Sequence, residues 1–532
     1  MTIIPYPKAK KDLTRHEKIA QLFMPAAFIN DTEEEIQKLE QLIREQHIGS
    51  LCFFHSRASA ATNFEGQKNV EYKKDSFKTL KKLIQRYQKA AIHPLLISID
   101  AEWGLAMRIE NTPHYPYAIT LGALQNQSDL IFEVGKQIAM DCRAAGIHWN
   151  LAPVVDINNN PNNPVIGYRS FGEDKYQVTQ KAMAFIQGSE SEGVLTCLKH
   201  FPGHGDTEVD SHLGLPLITK SKAALLENEL FPFQQLINKG VDSIMAGHLA
   251  IPALADGDEI PSSLSKKMLK DLLRDQMNFK GVVISDALNM HAVSKNYPMK
   301  GQLEWEAFNA GNDVLCFAEH IREGIEAINK NASNEQIEAS FERLWHLKEK
   351  AFRVENPSLK TILSDPDLVN KKIATKSITL YKGGLDHLKD KKFVGIQIST
   401  TATKSTFFES LQKSIAFSYF NTATTKLTKI QDEIIAEENM LLAIYPPKAK
   451  PANYFHIPKQ EIDFINKLLA SKKVILYLFG NPYVLNHIET RHAKAIVIAY
   501  QNFKVFQEVA SQHFLEKIAA KGKVPVSMTH EL

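Results

Sequence analysis

Short runs of Val, Ile and Leu, each followed by a longer amphipathic stretch, recur along the first part of the chain. This is the pattern of buried parallel strands alternating with helices. Eight such runs lie near Leu22–Phe28, Ile48–Phe54, Pro94–Asp100, His148–Asp156, Val194–His200, Ser243–His248, Gly281–Asp286 and Gly311–Phe317. Five of them end on a polar or ionisable residue, namely Asp100, Asp156, His200, His248 and Asp286. A β/α barrel displays its reactive groups at that end of its strands. A charged helical stretch from Asn334 to Lys350 closes the region, and Pro357 with Asp365-Pro366-Asp367 supplies a linker. A second series of strands follows, Phe393–Ser399, Met440–Tyr445, Val474–Phe479 and Ala495–Tyr500, again separated by helical segments. The pattern predicts an α/β protein with a TIM (β/α)8-type barrel over residues 1–350, a linker over 351–375, and a smaller doubly wound α/β sandwich over 376–532.

Composition changes this picture little. The 532 residues are 44% hydrophobic and 23% charged, and 63 Lys+Arg against 60 Asp+Glu leave a formal charge of +3, so no basic excess marks the chain for nucleic acid or a membrane surface. Cys52, Cys142, Cys197 and Cys316 are widely spaced, three of them within apolar runs, and read as reduced core residues. The amino-terminal stretch has no apolar h-region or small-residue cleavage site, and no window approaches a membrane span. The expectation is a soluble, cytoplasmic protein that binds neither nucleic acid nor membrane.

Candidate chemistry concentrates between Lys199 and Pro216, where His200, His204, Asp210 and His212 share one glycine-punctuated loop. In an Asp-x-His unit on a locally extended backbone, the carboxylate of Asp210 can hold one ring nitrogen of His212 while the other faces a substrate. That makes His212 a candidate general acid/base, against the alternative of a surface histidine beside a helix-capping aspartate. The same histidines, spaced H-x3-H-x7-H, also admit a zinc reading, although Pro202, Gly203 and Gly205 interrupt any helix that would align the first two. Further on, Gly281-Val-Val-Ile-Ser carries an apolar strand straight into Asp286. Such a carboxylate can attack an anomeric carbon, or merely cap a helix.

Taken together, the run from Lys199 to Thr207 with Asp210 and His212, followed by Ser285-Asp286-Ala-Leu-Asn-Met290, resembles the β-N-acetylglucosaminidases of glycoside hydrolase family 3. The resemblance extends over roughly residues 15–350, and the second region resembles that family's C-terminal α/β domain. It implies a retaining exo-β-N-acetylglucosaminidase that releases terminal GlcNAc from muropeptides or chitin-type oligosaccharides through a covalent glycosyl-enzyme, without metal or other cofactor. By position it makes Asp286 the nucleophile, His212 the acid/base and Asp210 its partner, and it gives Asp100, Arg108, Arg169, Lys199 and His200 to sugar binding. The missing leader segment together with this resemblance suggests cell-wall recycling. Two departures bear on substrate preference. Ala101-Glu-Trp-Gly-Leu-Ala-Met-Arg108 stands where many relatives have a Gln-Glu-Gly-Gly-Arg type segment, and Ala287 follows Asp286 where a second aspartate is common. The rival readings are a β-glucosidase or β-xylosidase, a GlcNAc phosphorylase of the same family, and a non-catalytic sugar-binding protein.

Overall fold

The computed structural model describes residues 2–55, 72–208, 214–353, 362–388 and 391–529, and they form two compact units. The first takes in 1–115, 131–157 and 182–365, the second 116–130, 158–181 and 366–532.

In the first unit the predicted apolar runs become parallel strands that follow one another around a closed ring. Phe23–Met24 and Ala26–Phe28 form one interrupted strand, broken by Pro25, which has no N–H to give to a ladder. Then come Ser50–Phe54, Leu96–Ile99, Trp149–Asn150, Leu198–Phe201, Ser243–Ala246, Val282–Ser285 and Leu315–Cys316. Successive neighbours pair through Ala26↔Cys52, Leu51↔Ile97, Ile99↔Asn150, Trp149↔Leu195, Leu198↔Ile244, Ala246↔Ser285 and Ile284↔Val314. Met24↔Cys316 closes the circuit, so every strand has two partners and no edge remains. Strands covered on both faces cannot alternate polar with apolar side chains, which is why they read in the sequence as unbroken hydrophobic runs.

The helix Asn334–Phe352 starts from a Ser333/Gln336 capping box. Its side chains tie to residues lying just before barrel strands: Lys348 Nζ to Gly49 O at 3.2 Å, Lys350 Nζ to Asp242 Oδ2 at 2.6 Å, and Arg343 Nη2 to Asp313 Oδ1 at 2.7 Å. The helix therefore covers the N-terminal end of the barrel. The opposite end, where the strands finish, is left to the loops.

The second unit is a mixed six-stranded sheet in the order Thr379–Gly383, Ala495–Ile498, Lys473–Leu478, Asn439–Ile444, Val394–Ile398, Tyr419–Asn421. All pairs are parallel except the first, an antiparallel edge. Alternate strand residues feed two cores. Met440, Leu442, Val474 and Leu476 face the helix Lys459–Ser471, whereas Leu441, Ala443, Ile475 and Tyr477 face Phe407, Phe408 and Ala510. Helices on both faces make the expected sandwich.

Its boundaries are not contiguous in sequence, unlike the expected 1–350, 351–375 and 376–532 segmentation. Ile119 and Ala123 are buried against the sheet, and Gln501 Nε2 donates to Thr120 Oγ1 at 2.8 Å. Glu173 N donates to Pro525 O at 3.0 Å, and Ser527 Oγ to Glu173 Oε1 at 2.6 Å. These contacts bring 116–130 and 158–181 into the second unit. No helix of the described residues is long and apolar enough to cross a membrane, and the four cysteines are buried and free of disulfides.

Candidate active site

At the C-terminal end of the barrel the strand ends converge through charge. Asp100 follows Leu96–Ile99, and Lys199 comes from Leu198–Phe201. Lys199 is 2% exposed, with Nζ 2.8 Å from Asp100 Oδ1 and 2.7 Å from Glu102 Oε1. Arg108 Nη2 reaches Asp100 Oδ2 at 2.7 Å, and its guanidinium lies 4.9 Å from the centre of the Phe54 ring. Burial alone would raise the Asp100 carboxyl; Lys199 and Arg108 outweigh it and hold the group well below the usual carboxylate range. Asp100 is thus a permanent anion flanked by fixed donors, a set that can satisfy neighbouring hydroxyls of a bound sugar.

The next strand end carries a second network. Asp156 Oδ2 accepts from His200 Nδ1 at 2.8 Å, and its Oδ1 accepts from His204 N at 2.7 Å. Burial works to raise Asp156, but the neighbouring histidines and their hydrogen bonds bring it below its ordinary value. His204 is 1% exposed, and burial with the adjacent His200 ring, 5.7 Å away, drives it down to about 4. The backbone here admits no side chain at Gly205, where an added Cβ would stand 1.6 Å from Ile157 O. The loop leaving this strand is anchored where it departs and where it returns. Lys220 Nζ bridges Asp206 Oδ2 and Glu229 Oε1, both at 2.7 Å, and Ile218 N and Pro216 O pair with Ala250.

Asp286 ends the strand Val282–Ser285. Its N–H donates to Ala246 O at 2.9 Å, and its Oδ1 accepts from Ala287 N at 2.8 Å. The buried Cys197 thiol, pushed up to about 12 by burial, feels the charges of both Asp100 and Asp286. The two carboxylates therefore stand over the same end of the barrel.

Asp100, Arg108, Lys199, His200 and Asp286 are thus placed on the strand ends and loops of one barrel. Arg169 ends the turn Gly167–Arg169 in the second unit, with Nη1 3.4 Å from Val165 O. Asp210 and His212 lie outside the described residues, as does the third histidine of the H-x3-H-x7-H spacing. Among the described residues no three His, Cys, Asp or Glu side chains are arranged to hold a metal ion. Sequence reasoning passed over Glu102, although it sits inside the Asp100-Ala-Glu102-Trp segment, and left Asp156 without a partner because His200 is 44 residues away.

One consequence is a pH dependence of stability. His204 titrates near 6.5 when unfolded and near 4 when folded, so between those values only the unfolded chain gains the proton, and stability falls as pH falls. The loss from this one ring is on the order of 3 kcal/mol when fully developed. Asp100 and Asp156 add a loss that begins below their ordinary value of 3.8. Denaturation midpoints measured from pH 7 to 4 are expected to fall continuously; a flat profile down to pH 4 contradicts the assignment of His204 as neutral.

Residues 14–347 match the glycosyl hydrolase family 3 N-terminal domain. The chain is 35% identical over 286 residues to beta-hexosaminidase A of Pseudoalteromonas piscicida, an alignment covering 48% of each protein, so it spans about half the length of that relative. It is 38% identical over 241 residues to the beta-hexosaminidase of Tolumonas auensis, covering 44% of this chain and 70% of the relative. Among solved structures it is similar to a glycoside hydrolase family 3 beta-N-acetylglucosaminidase from Paenibacillus sp. str. FPU-7, with a TM-score of 0.78 and 28% identity over 98% of this chain and 100% of that one.

Proposed function

The chain belongs to glycoside hydrolase family 3, and from that premise we propose that it is a retaining exo-β-N-acetylglucosaminidase acting on terminal β-linked GlcNAc of muropeptides or chitin-type oligosaccharides. The observation that carries the reading is Asp286 at a barrel strand end, with Ala287 N–H fixing one oxygen of its carboxylate. The named activities of the hexosaminidase relatives support the choice of sugar.

In this reading Asp286 attacks the anomeric carbon as the glycosidic bond breaks, and His212 gives its proton to the departing oxygen. The neutral imidazole then takes a proton from water, whose oxygen displaces Asp286 and releases the sugar with its configuration retained. Asp210 orients the ring. Asp100, held anionic by Lys199 and Arg108, accepts from sugar hydroxyls while the cations donate to them. His200 is assigned to the same sugar, and Arg169 to sugar binding on the sequence resemblance alone.

The test compares p-nitrophenyl β-N-acetylglucosaminide with the β-glucoside. The acetamido substrate is expected to be preferred in kcat/KM by about a hundredfold, the scale on which pocket contacts discriminate between substrates that differ in one substituent. Preference for the glucoside contradicts the reading. His212→Ala is expected to lose about 10²–10⁴-fold on substrates whose leaving group needs a proton, and far less on activated aryl glycosides. Activity is expected to survive a strong chelator; loss that zinc reverses would restore the metal reading of the histidine spacing.

A further inference from the structure

His248 follows the strand Ser243–Ala246 and is fully buried, yet both its ring nitrogens have partners on other segments. Nε2 lies 3.0 Å from Ala287 O and Nδ1 lies 2.7 Å from Ser263 Oγ. A carbonyl oxygen only accepts, so Nε2 carries a proton and donates it to Ala287 O, while Nδ1 shares a hydrogen bond with the Ser263 hydroxyl. Ala287 is the residue whose own N–H donates to Asp286 Oδ1. The peptide that follows is tied at its other side as well, since Leu288 N donates to Cys316 O at 3.0 Å. The peptide between Ala287 and Leu288 is therefore held at both its carbonyl and its N–H.

We propose that His248 is a positioning residue for the nucleophile: by donating Nε2–H to Ala287 O it holds the Ala287–Leu288 peptide, and through the Ala287 backbone dihedrals it sets where the Ala287 N–H points and so the angle at which Asp286 meets the anomeric carbon. It touches neither substrate nor reacting atom. The proposal rests on the reading of Asp286 as nucleophile and deepens it.

The two nitrogens can be separated by substitution, because a glutamine amide reaches the place of Nε2 and an asparagine amide that of Nδ1. His248→Gln keeps a donor toward Ala287 O and is expected to hold kcat within about threefold, whereas His248→Asn is expected to lose about a hundredfold in kcat, the cost of an ångström-scale misplacement. KM is expected to change little. The slow step in the asparagine variant is glycosylation, read as slowed single-turnover release of the aryl alcohol. Where the asparagine variant does not fold, Ser263→Ala takes its place in the comparison: it frees the other nitrogen only, and its kcat is expected to stay near that of the wild type. A glutamine variant as slow as the asparagine one, wild-type turnover in a folded asparagine variant, or a Ser263→Ala loss near a hundredfold overturns the proposal. All rates are measured on whichever aryl glycoside the wild type turns over fastest. An error in the identity of the sugar thus leaves this comparison intact, while loss of the Asp286 reading shows separately in Asp286→Ala.

Discussion

Asp286→Ala is expected to lower kcat/KM on the order of 10⁴-fold or more, as removal of a covalent nucleophile does, while the protein still folds. The two halves of that expectation have different physical sources. In the proposed mechanism the carboxylate forms the glycosyl-enzyme, so its loss removes the attacking atom. Folding survives because the strand is held by backbone: the Asp286 N–H remains bonded to Ala246 O, and Val283, Ile284 and Ser285 keep their register with Ile244, Met245 and Ala246. The side-chain bond from Ala287 N to Asp286 Oδ1 is lost at a half-buried position, a cost of about 1 kcal/mol. Kinetics on the acetamido substrate beside thermal denaturation checks both halves. Azide is expected to occupy the vacated space and restore turnover, giving a glycosyl azide of opposite anomeric configuration. Wild-type-like turnover by folded Asp286→Ala protein refutes the nucleophile assignment.

Lys199→Ala is expected to be the most destabilising single change at the site. The ammonium is the shared partner of two carboxylates whose side chains are 13% and 7% exposed, those of Asp100 and Glu102. Removing one member of a buried ionic set leaves the others uncompensated, at about 3–5 kcal/mol. Arg108 still faces Asp100, so the residual charge falls mainly on Glu102 and on the repulsion between the two acids. The sign of the pH dependence separates this from simple loss of packing. In the wild type Asp100 sits below its ordinary 3.8, so its stabilisation is present above that value and lost as pH falls. In the variant the buried Glu102 carboxylate has lost its cation, which disfavours its charged form, so acidification from pH 7 toward 5 stabilises the variant relative to the wild type. Denaturant unfolding at several pH values measures the difference; a variant whose deficit is the same at pH 7 and pH 5 contradicts the account.

How much of this could be read from the chain depends on the range of the interaction concerned. The barrel was legible because each strand is buried on both faces and therefore appears as a local hydrophobic run, and all eight expected runs fall on the ring. The edge strands Thr379–Gly383 and Tyr419–Asn421 were not anticipated, being short and only partly buried. Nor was the membership of 116–130 and 158–181 in the second unit, since contacts such as Thr120 to Gln501 join residues hundreds of positions apart. At the site the motif pointed to Lys199 and Asp100 separately. It could not show that Lys199 bridges Asp100 and Glu102, or that His200 leans on Asp156, because those pairings exist only once the sheet has curled into a ring. His248 is legible in the sequence only as the polar end of an apolar run. The structure places it in the core, bonded to the residue after Asp286. Asp210 and His212 lie outside the described residues, so their part in the reaction stands on the sequence motif.

The central claim is that turnover passes through a sugar bound covalently to Asp286. A 5-fluoro-N-acetylglucosaminyl fluoride, which is attacked faster than its adduct is hydrolysed, traps that species for peptide mass spectrometry. The account predicts a single added sugar on the peptide spanning Gly281–Met290, localised to Asp286, with activity lost in proportion to labelling. Label on another residue, or full inactivation with Asp286 unmodified, contradicts it.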